Sequence, residues 1–179
     1  VYKRQFINLP SRIEFENGHV ISYLYDADGI KLRTTHIIGS DTTVTDYCGN
    51  VIYENGIPVK LLTEAGYVTL ADSKYHYFVQ DHLGNNRVVV DQSGNVEEVN
   101  HYYPFGGLLS SSVSNAVQPY KYNGKELDRK NGLDWYDYGA RMYDAALGRW
   151  HAVDPMSEKY YSISSYVYCL LYTSPSPRD

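Results

Sequence analysis

Tyr25-Asp26-Ala27-Asp28-Gly29-Ile30-Lys31-Leu32 reads as strand, turn and strand within one short stretch, of the form Tyr-Asp-x-x-Gly-x-x-Leu. The Asp can hydrogen-bond the backbone of its own turn, and the Gly supplies a positive φ. Val89-Val90-Asp91-Gln92-Ser93-Gly94-Asn95-Val96 is a looser echo of the same unit. Working outward, further turn signals stand at Gly49-Asn50, Asn55-Gly56 and Gly84-Asn85-Asn86. Between them lie short runs rich in Val, Ile, Tyr and Thr: 19–25, 31–38, 50–53, 67–70, 74–80, 87–91 and 96–103. Several alternate, so that Ile21, Tyr23 and Tyr25 face opposite to Val20, Ser22 and Leu24. Short strands at this spacing predict an all-β meander whose units share one core, since no single hairpin buries its own apolar face. No twelve-residue window carries a helical period; the best short helix is Asp144 to Leu147, stopped by Gly148.

Composition agrees with a β protein and excludes several function classes. The chain has 179 residues with 20 Tyr against 4 Phe and 2 Trp, and Tyr favours strands and half-wet surfaces. A net charge of −5 argues against nucleic acid as a partner. No run reaches the 18 or so apolar residues of a membrane-spanning helix. The six His show no paired zinc spacing, and no Gly-rich phosphate loop precedes a helix, so neither a metal nor a cofactor is expected. Asp81-His82 lacks a nucleophile in any motif context. Glu97 and Glu98 are adjacent and are expected on opposite strand faces, a poor geometry for a glycosidase pair.

The two ends invite exclusion before fold reasoning. The reverse complement of one codon choice for Val1–Gln5 encodes Cys-Leu-Leu-Tyr and a Thr-compatible pair of bases. Cys169-Leu170-Leu171-Tyr172-Thr173 stands near the other end. Residues 1–5 and 169–179 are therefore expected to be translated sequencing adapter. That leaves Cys48 without an internal disulfide partner, and one Cys does not fix a compartment.

From 77 onward the residues become recognisable. Tyr77-Phe78-Val79-Gln80-Asp81-His82-Leu83-Gly84-Asn85-Asn86-Arg87 leads to the 91–95 turn and to Tyr103-Pro104-Phe105-Gly106. Then come Tyr122-Asn123-Gly124-Lys125-Glu126-Leu127-Asp128, Gly132-Leu133 and Tyr136-Asp137-Tyr138-Gly139-Ala140-Arg141-Met142-Tyr143-Asp144. The series closes with Leu147-Gly148-Arg149-Trp150 and Asp154-Pro155. In this order the string resembles the core domain of the RHS (rearrangement hotspot) or YD-repeat family. The resemblance covers residues 75–168 as RHS core and 6–74 more loosely as YD repeats, with the Ser- and Gly-rich 106–119 segment as a long loop.

The resemblance implies YD-repeat β-hairpins forming part of a spiralling β-shell, closed by the core domain. It implies partners in cis: an upstream shell and a C-terminal toxin, in a secreted or bacterial cell-surface system. In such proteins the core often cuts the toxin free by chemistry resembling that of aspartic proteases, needing an Arg and Asp residues. Arg141 and Asp154 stand at the matching places and are the candidate catalytic residues. The family usually continues to a second Asp-Pro-x-Gly block marking the cleavage region, and usually has Pro at the position of Ala145. This chain holds a single Asp-Pro, so it is expected not to cleave itself.

Plainer readings stand beside these. Asp154-Pro155 suits the first two positions of a turn. Arg141 suits packing on aromatic rings with its guanidinium paired to a carboxylate. Asp144, the one nearby second carboxylate, reads better as a turn residue. Tyr136, Tyr138, Tyr143, Trp135 and Trp150 suit cross-strand packing, or else stacking on a carbohydrate. Three functions follow: an encapsulating structural module, an aspartic-type self-processing peptidase, or a carbohydrate-binding surface module.

Overall fold

The computed structural model describes residues 2–4, 9–112 and 118–168. The expected adapter at 169–179, and residues 1 and 5 of that at 1–5, lie outside the described residues, whereas the backbone of residues 2–4 forms a strand. The chain is all-β, with two open antiparallel sheets. The larger is an 11-stranded meander in chain order. Its strands are β1 (Tyr2–Arg4), β2 (Pro10–Glu14), β3 (Val20–Tyr25), β4 (Lys31–Ile38), β5 (Asp41–Cys48) and β6 (Val51–Glu54). They continue as β7 (Ile57–Thr63), β8 (Gly66–Thr69), β9 (Lys74–Gln80), β10 (Asn86–Asp91) and β11 (Val96–Val99). The smaller sheet runs β12 (Glu126–Asp128), β13 (Trp135–Asp137), β14 (Met142–Asp144) and β15 (Arg149–Trp150).

The quoted turn and its echo have one geometry. Asp26 Oδ1 accepts the backbone N–H of Asp28 and Ile30. Asp91 Oδ1 accepts those of Ser93 and Asn95, and Asp81 Oδ1 those of Leu83 and Asn85. In each, a Gly three residues after the Asp takes a positive φ, between 76° and 84°. One short-range rule thus closes three hairpins.

Alternation on β3 is as read: Ile21, Tyr23 and Tyr25 are buried and Leu24 is exposed. Strands β2, β5 and β7 carry weaker signals. β5 contains Asp41 and Asp46, and β7 contains Pro58. Pro58 sits beside a register shift in the β6–β7 ladder, the kind of position at which a strand accommodates Pro. The expected helix at Asp144 to Leu147 is not formed. Asp144 closes β14, and its Oδ1 accepts the N–H groups of Ala146 and Leu147, so an Asx turn replaces the first helical turn.

The small sheet has two unlike faces. The row Leu127, Tyr136, Tyr143, Trp150 lies in register across its four strands. With Tyr122 at its edge, this row forms an aromatic cluster against which Tyr102, Leu108, Tyr138 and Tyr168 pack. The alternate residues Glu126, Asp128, Trp135, Asp137 and Met142 point to the large sheet. There Met142 and Leu133 join Ile13, Ile21, Tyr23 and Tyr25 in a second cluster. Each Leu-Asp or Tyr-Asp pair therefore sends its apolar ring or chain one way and its carboxylate the other.

Candidate functional site

Two polar constellations result. The first joins the sheets. Lys31 Nζ lies 2.7 Å from Glu126 and 2.6 Å from Asp137. Tyr47 donates its hydroxyl to Glu126 at 2.7 Å. His36 Nε2 faces both oxygens of Asp128, at 3.1 and 2.9 Å, and Tyr23 donates to Asp128 at 3.1 Å. At the end of this seam His19 Nδ1 meets Asn131 Oδ1 at 2.6 Å, and Asn17 donates to the same oxygen. Burial alone would pull the Lys31 ammonium down; Glu126 and Asp137 overcome that and hold it well above its ordinary value. Burial likewise raises Asp128, but pairing with His36 and the Lys130 N–H hold it below the usual carboxylate value. Burial, reinforced by Asp128, pushes the Tyr23 phenol up.

The second constellation holds the two sequence-predicted site residues, and the fold brings them together. Arg141 precedes β14 and lays its guanidinium 4.2 Å from the Trp150 ring centroid. Its Nη1 is 3.2 Å from Asp154 Oδ2, a close ion pair without hydrogen-bond alignment, since Nη1 is buried and has no hydrogen-bond partner. Burial lowers the Arg141 pKa against the opposing pull of Asp154. Asp154 also starts a turn, its Oδ1 accepting the Met156 N–H at 2.8 Å. Both plain readings of these residues, aromatic packing for Arg141 and turn initiation for Asp154, therefore hold in the geometry. The adjoining cavity, lined by Asp154, Ser157, Tyr160 and Ser164 among others, is about 10 Å³. That is room for about one water and not for a peptide.

Asp144 contributes no second free carboxylate. Its Oδ1 serves its own turn and its Oδ2 lies 3.8 Å from His151. The aromatics expected as packing or as a sugar platform are packing residues in the main: Tyr136 and Tyr143 are fully buried. Their hydroxyls donate to the carbonyls of Gly106 and Phe105.

Glu97 and Glu98 correct an expectation. A bulge at Val89/Val90 breaks the alternation of β11. Glu97 reaches His76 at 2.6 Å, while Glu98, opposite Val89, is buried with Lys121 at 2.5 Å. Phe78 also lies opposite Val89, two residues from His76, so both carboxylates serve the same face. Among the described residues no group of His, Cys, Asp and Glu has metal-binding geometry, and no helix is long and apolar enough to cross a membrane.

Sequence reasoning missed the seam residues Lys31, His36, Glu126 and Asp128. The one available signal was the recurrent Asp after an apolar strand residue, at 128, 137 and 144.

Residues 60–173 match the sequence model of the Teneurin YD-shell family. This chain belongs to the YD-shell family. The RHS/YD-repeat resemblance is thus established. The YD-shell chain is 30% identical over 173 residues to salivary gland surface protein 1 of Aedes aegypti, covering 83% of this chain and 5% of that protein. It is 30% identical over 128 residues to toxin subunit YenC1 of Yersinia entomophaga, covering 62% of this chain and 13% of that protein. It therefore spans a small part of each relative's length. Its fold is that of the TcdB2–TccC3–Cdc42 crystal structure, with a TM-score of 0.75 over 93% of this chain and 9% of that one, at 18% identity. The Photorhabdus luminescens Tc holotoxin pore gives a TM-score of 0.73 over 93% of this chain and 9% of the other, at 19% identity. At these identities the structural likeness speaks for the fold alone.

Proposed function

We propose that this YD-shell segment closes one end of a hollow β-shell that holds a C-terminal toxin chain in a secreted or cell-surface system. In this reading residues 6–74 belong to the YD-repeat wall and 75–168 to the closing core. The observation that carries it is the seating of the small sheet on one face of the meander through buried ion pairs. A plug that resists the pressure of an enclosed chain needs a rigid anchorage to the wall, and Lys31 with its two carboxylates supplies one. Relatives that include toxin subunits support the same reading.

Arg141 and Asp154 are the residues at which self-cleavage would act once a downstream segment supplies the scissile bond and a second carboxylate. Two carboxylates sharing a proton would split their pKa values and divide the acid and base roles. A near-attack geometry is then required, which the present 10 Å³ cavity does not offer.

The test is a gel of the full-length protein with its natural C-terminus. Cleavage by the wild type, abolished in Asp154→Asn, is expected. Efficient cleavage by Asp154→Asn would return Asp154 to its turn. A protease-sensitive C-terminal segment in the uncut variant would overturn the enclosing role.

A further inference from the structure

At the end of β11 three side-chain nitrogens meet on one carboxylate oxygen. Glu98 Oε1 receives Lys121 Nζ at 2.5 Å, the Gln118 amide at 2.9 Å and the Asn100 amide. The four residues are 0–3% exposed, so none of these groups has bulk water to fall back on. The Asn100 amide is fixed a second time, its Nδ2 donating to the Asn86 carbonyl at 3.1 Å, whereas the Gln118 amide is held by one hydrogen bond. Asn100 directly follows β11 of the large sheet, and Lys121 stands shortly before β12 of the small one. The long 106–119 loop runs between them.

Glu98 Oε2, Asn100 Oδ1 and Gln118 Oε1 are buried without a hydrogen-bond partner. Unmet buried acceptors are costly. A proton on Glu98 Oε2 turns one of them into a donor. A carboxylic acid pairs with a primary amide through a ring of two hydrogen bonds, N–H to one oxygen and O–H to the other. The Nδ2–Oε1 bond of Asn100 is already one half of that ring. The Lys121 ammonium is a source of the proton on the same carboxylate. A buried ion pair carries the desolvation cost of both charges, and moving one proton from nitrogen to oxygen removes both. Burial lowers the Lys121 pKa against the opposing pull of Glu98, and a desolvated neutral amine is a nucleophile.

We propose that Lys121 and Asn100 join in an intramolecular isopeptide bond, with Glu98 as the proton carrier. Lys121 Nζ hands a proton to Glu98 and attacks Asn100 Cγ, whose oxygen the Glu98 hydroxyl polarises. Near attack needs about 3–3.5 Å between nitrogen and carbon, and the shared oxygen sets amine and amide side by side for it. The Nζ–Cγ bond forms, Glu98 passes its proton to Nδ2 and takes one from Nζ, and the Cγ–Nδ2 bond breaks. Ammonia leaves, one hydrogen stays on the new amide nitrogen and one is left on Glu98, so the step needs no co-reactant. Lys121 and Gln118 line an inter-sheet cavity of about 350 Å³, which gives a water-sized molecule room to leave. The bond ties the meander covalently to the segment that leads into the small sheet, and it does not rest on the toxin-enclosing role.

The experiment is intact-mass measurement of the full chain folded at neutral pH, followed by peptide mapping. The protein is expected to be lighter than its sequence by one ammonia. Chymotrypsin cuts after Tyr102 and Tyr120, between the two partners, and the Asn100 and Lys121 peptides are expected to stay joined. Asn100→Ala and Glu98→Gln are each expected to restore the full mass; the wild-type result stands even if neither variant folds. An unshifted wild-type mass overturns the proposal. So does an ammonia loss that maps to a bond from Lys121 to Gln118, or to a succinimide at Asn55, Asn123 or Asn131, each of which precedes a Gly. Loss of one water with Lys121 joined to Glu98 overturns it as well. Linkage as complete in folded Glu98→Gln as in the wild type overturns the role given to Glu98.

Discussion

Lys31 Nζ and the Asp137 carboxylate stand 2.6 Å apart across the seam between the two sheets, with Glu126 on the other side of the same ammonium. One cation from the YD-repeat meander thus neutralises two carboxylates from adjacent strands of the small sheet. Their side chains are 12–20% exposed, so none can be fully rehydrated in place.

Removing that cation leaves two carboxylates poorly solvated. Lys31→Ala is expected to cost about 3–5 kcal/mol in urea denaturation, the range for breaking a buried pair. Arg12→Ala, which breaks an ion pair with both side chains 44% exposed, is expected to cost less than about 1 kcal/mol. Equal losses would show that the seam does not anchor the small sheet.

Asp128 gives the seam an acid limit. Its folded pKa is depressed, so its stabilisation is present above the unfolded carboxylate value of about 3.9 and is lost as pH falls through the lower folded value. The stability gap between wild type and Asp128→Asn is therefore expected to be full at pH 6–7 and to shrink below about pH 4. Chemical denaturation across this range measures it; a gap unchanged down to pH 2 would remove Asp128 from the seam's electrostatics.

Gly66 is a steric requirement of the β8–β9 pairing. A Cβ there would lie 2.0 Å from the carbonyl oxygen of His76, which is backbone and cannot swing away. Gly66→Ala is expected to cost at least about 2–3 kcal/mol, read as a lower melting temperature. A neutral substitution would mean that β8 and β9 are more loosely paired.

Tyr138 joins the aromatic cluster to a polar hub. Its hydroxyl lies 2.7 Å from Asn123 Oδ1 and 2.6 Å from the Tyr168 hydroxyl. Tyr138→Phe keeps the ring and loses both contacts, for an expected 1–2 kcal/mol, about one ordinary hydrogen bond each. An unchanged denaturation midpoint would show that Tyr168, which donates to the same Asn123 oxygen at 2.8 Å, is sufficient alone.

Local chemistry by itself determined three of the hairpins of this protein. An Asp that binds the N–H groups two and four residues on, followed by a Gly free to take positive φ, closes a turn whatever surrounds it, and it does so at 26, 81 and 91. Period-two alternation likewise assigned the buried face of β3. The ordered blocks from 77 to 155 were specific enough to reach the family. Tertiary structure decided the rest. Strands β5 and β7 owe their existence to neighbours on both sides, because the Asp residues of β5 and the Pro of β7 are disfavoured in strands. A single bulge in β11 put Glu97 and Glu98 on one face, against the alternation rule. The seam pairs residues about 95 positions apart, Lys31 with Glu126 and His36 with Asp128. No local pattern reports such a contact, since the energy of a buried charge depends on which opposite charge the completed fold sets beside it.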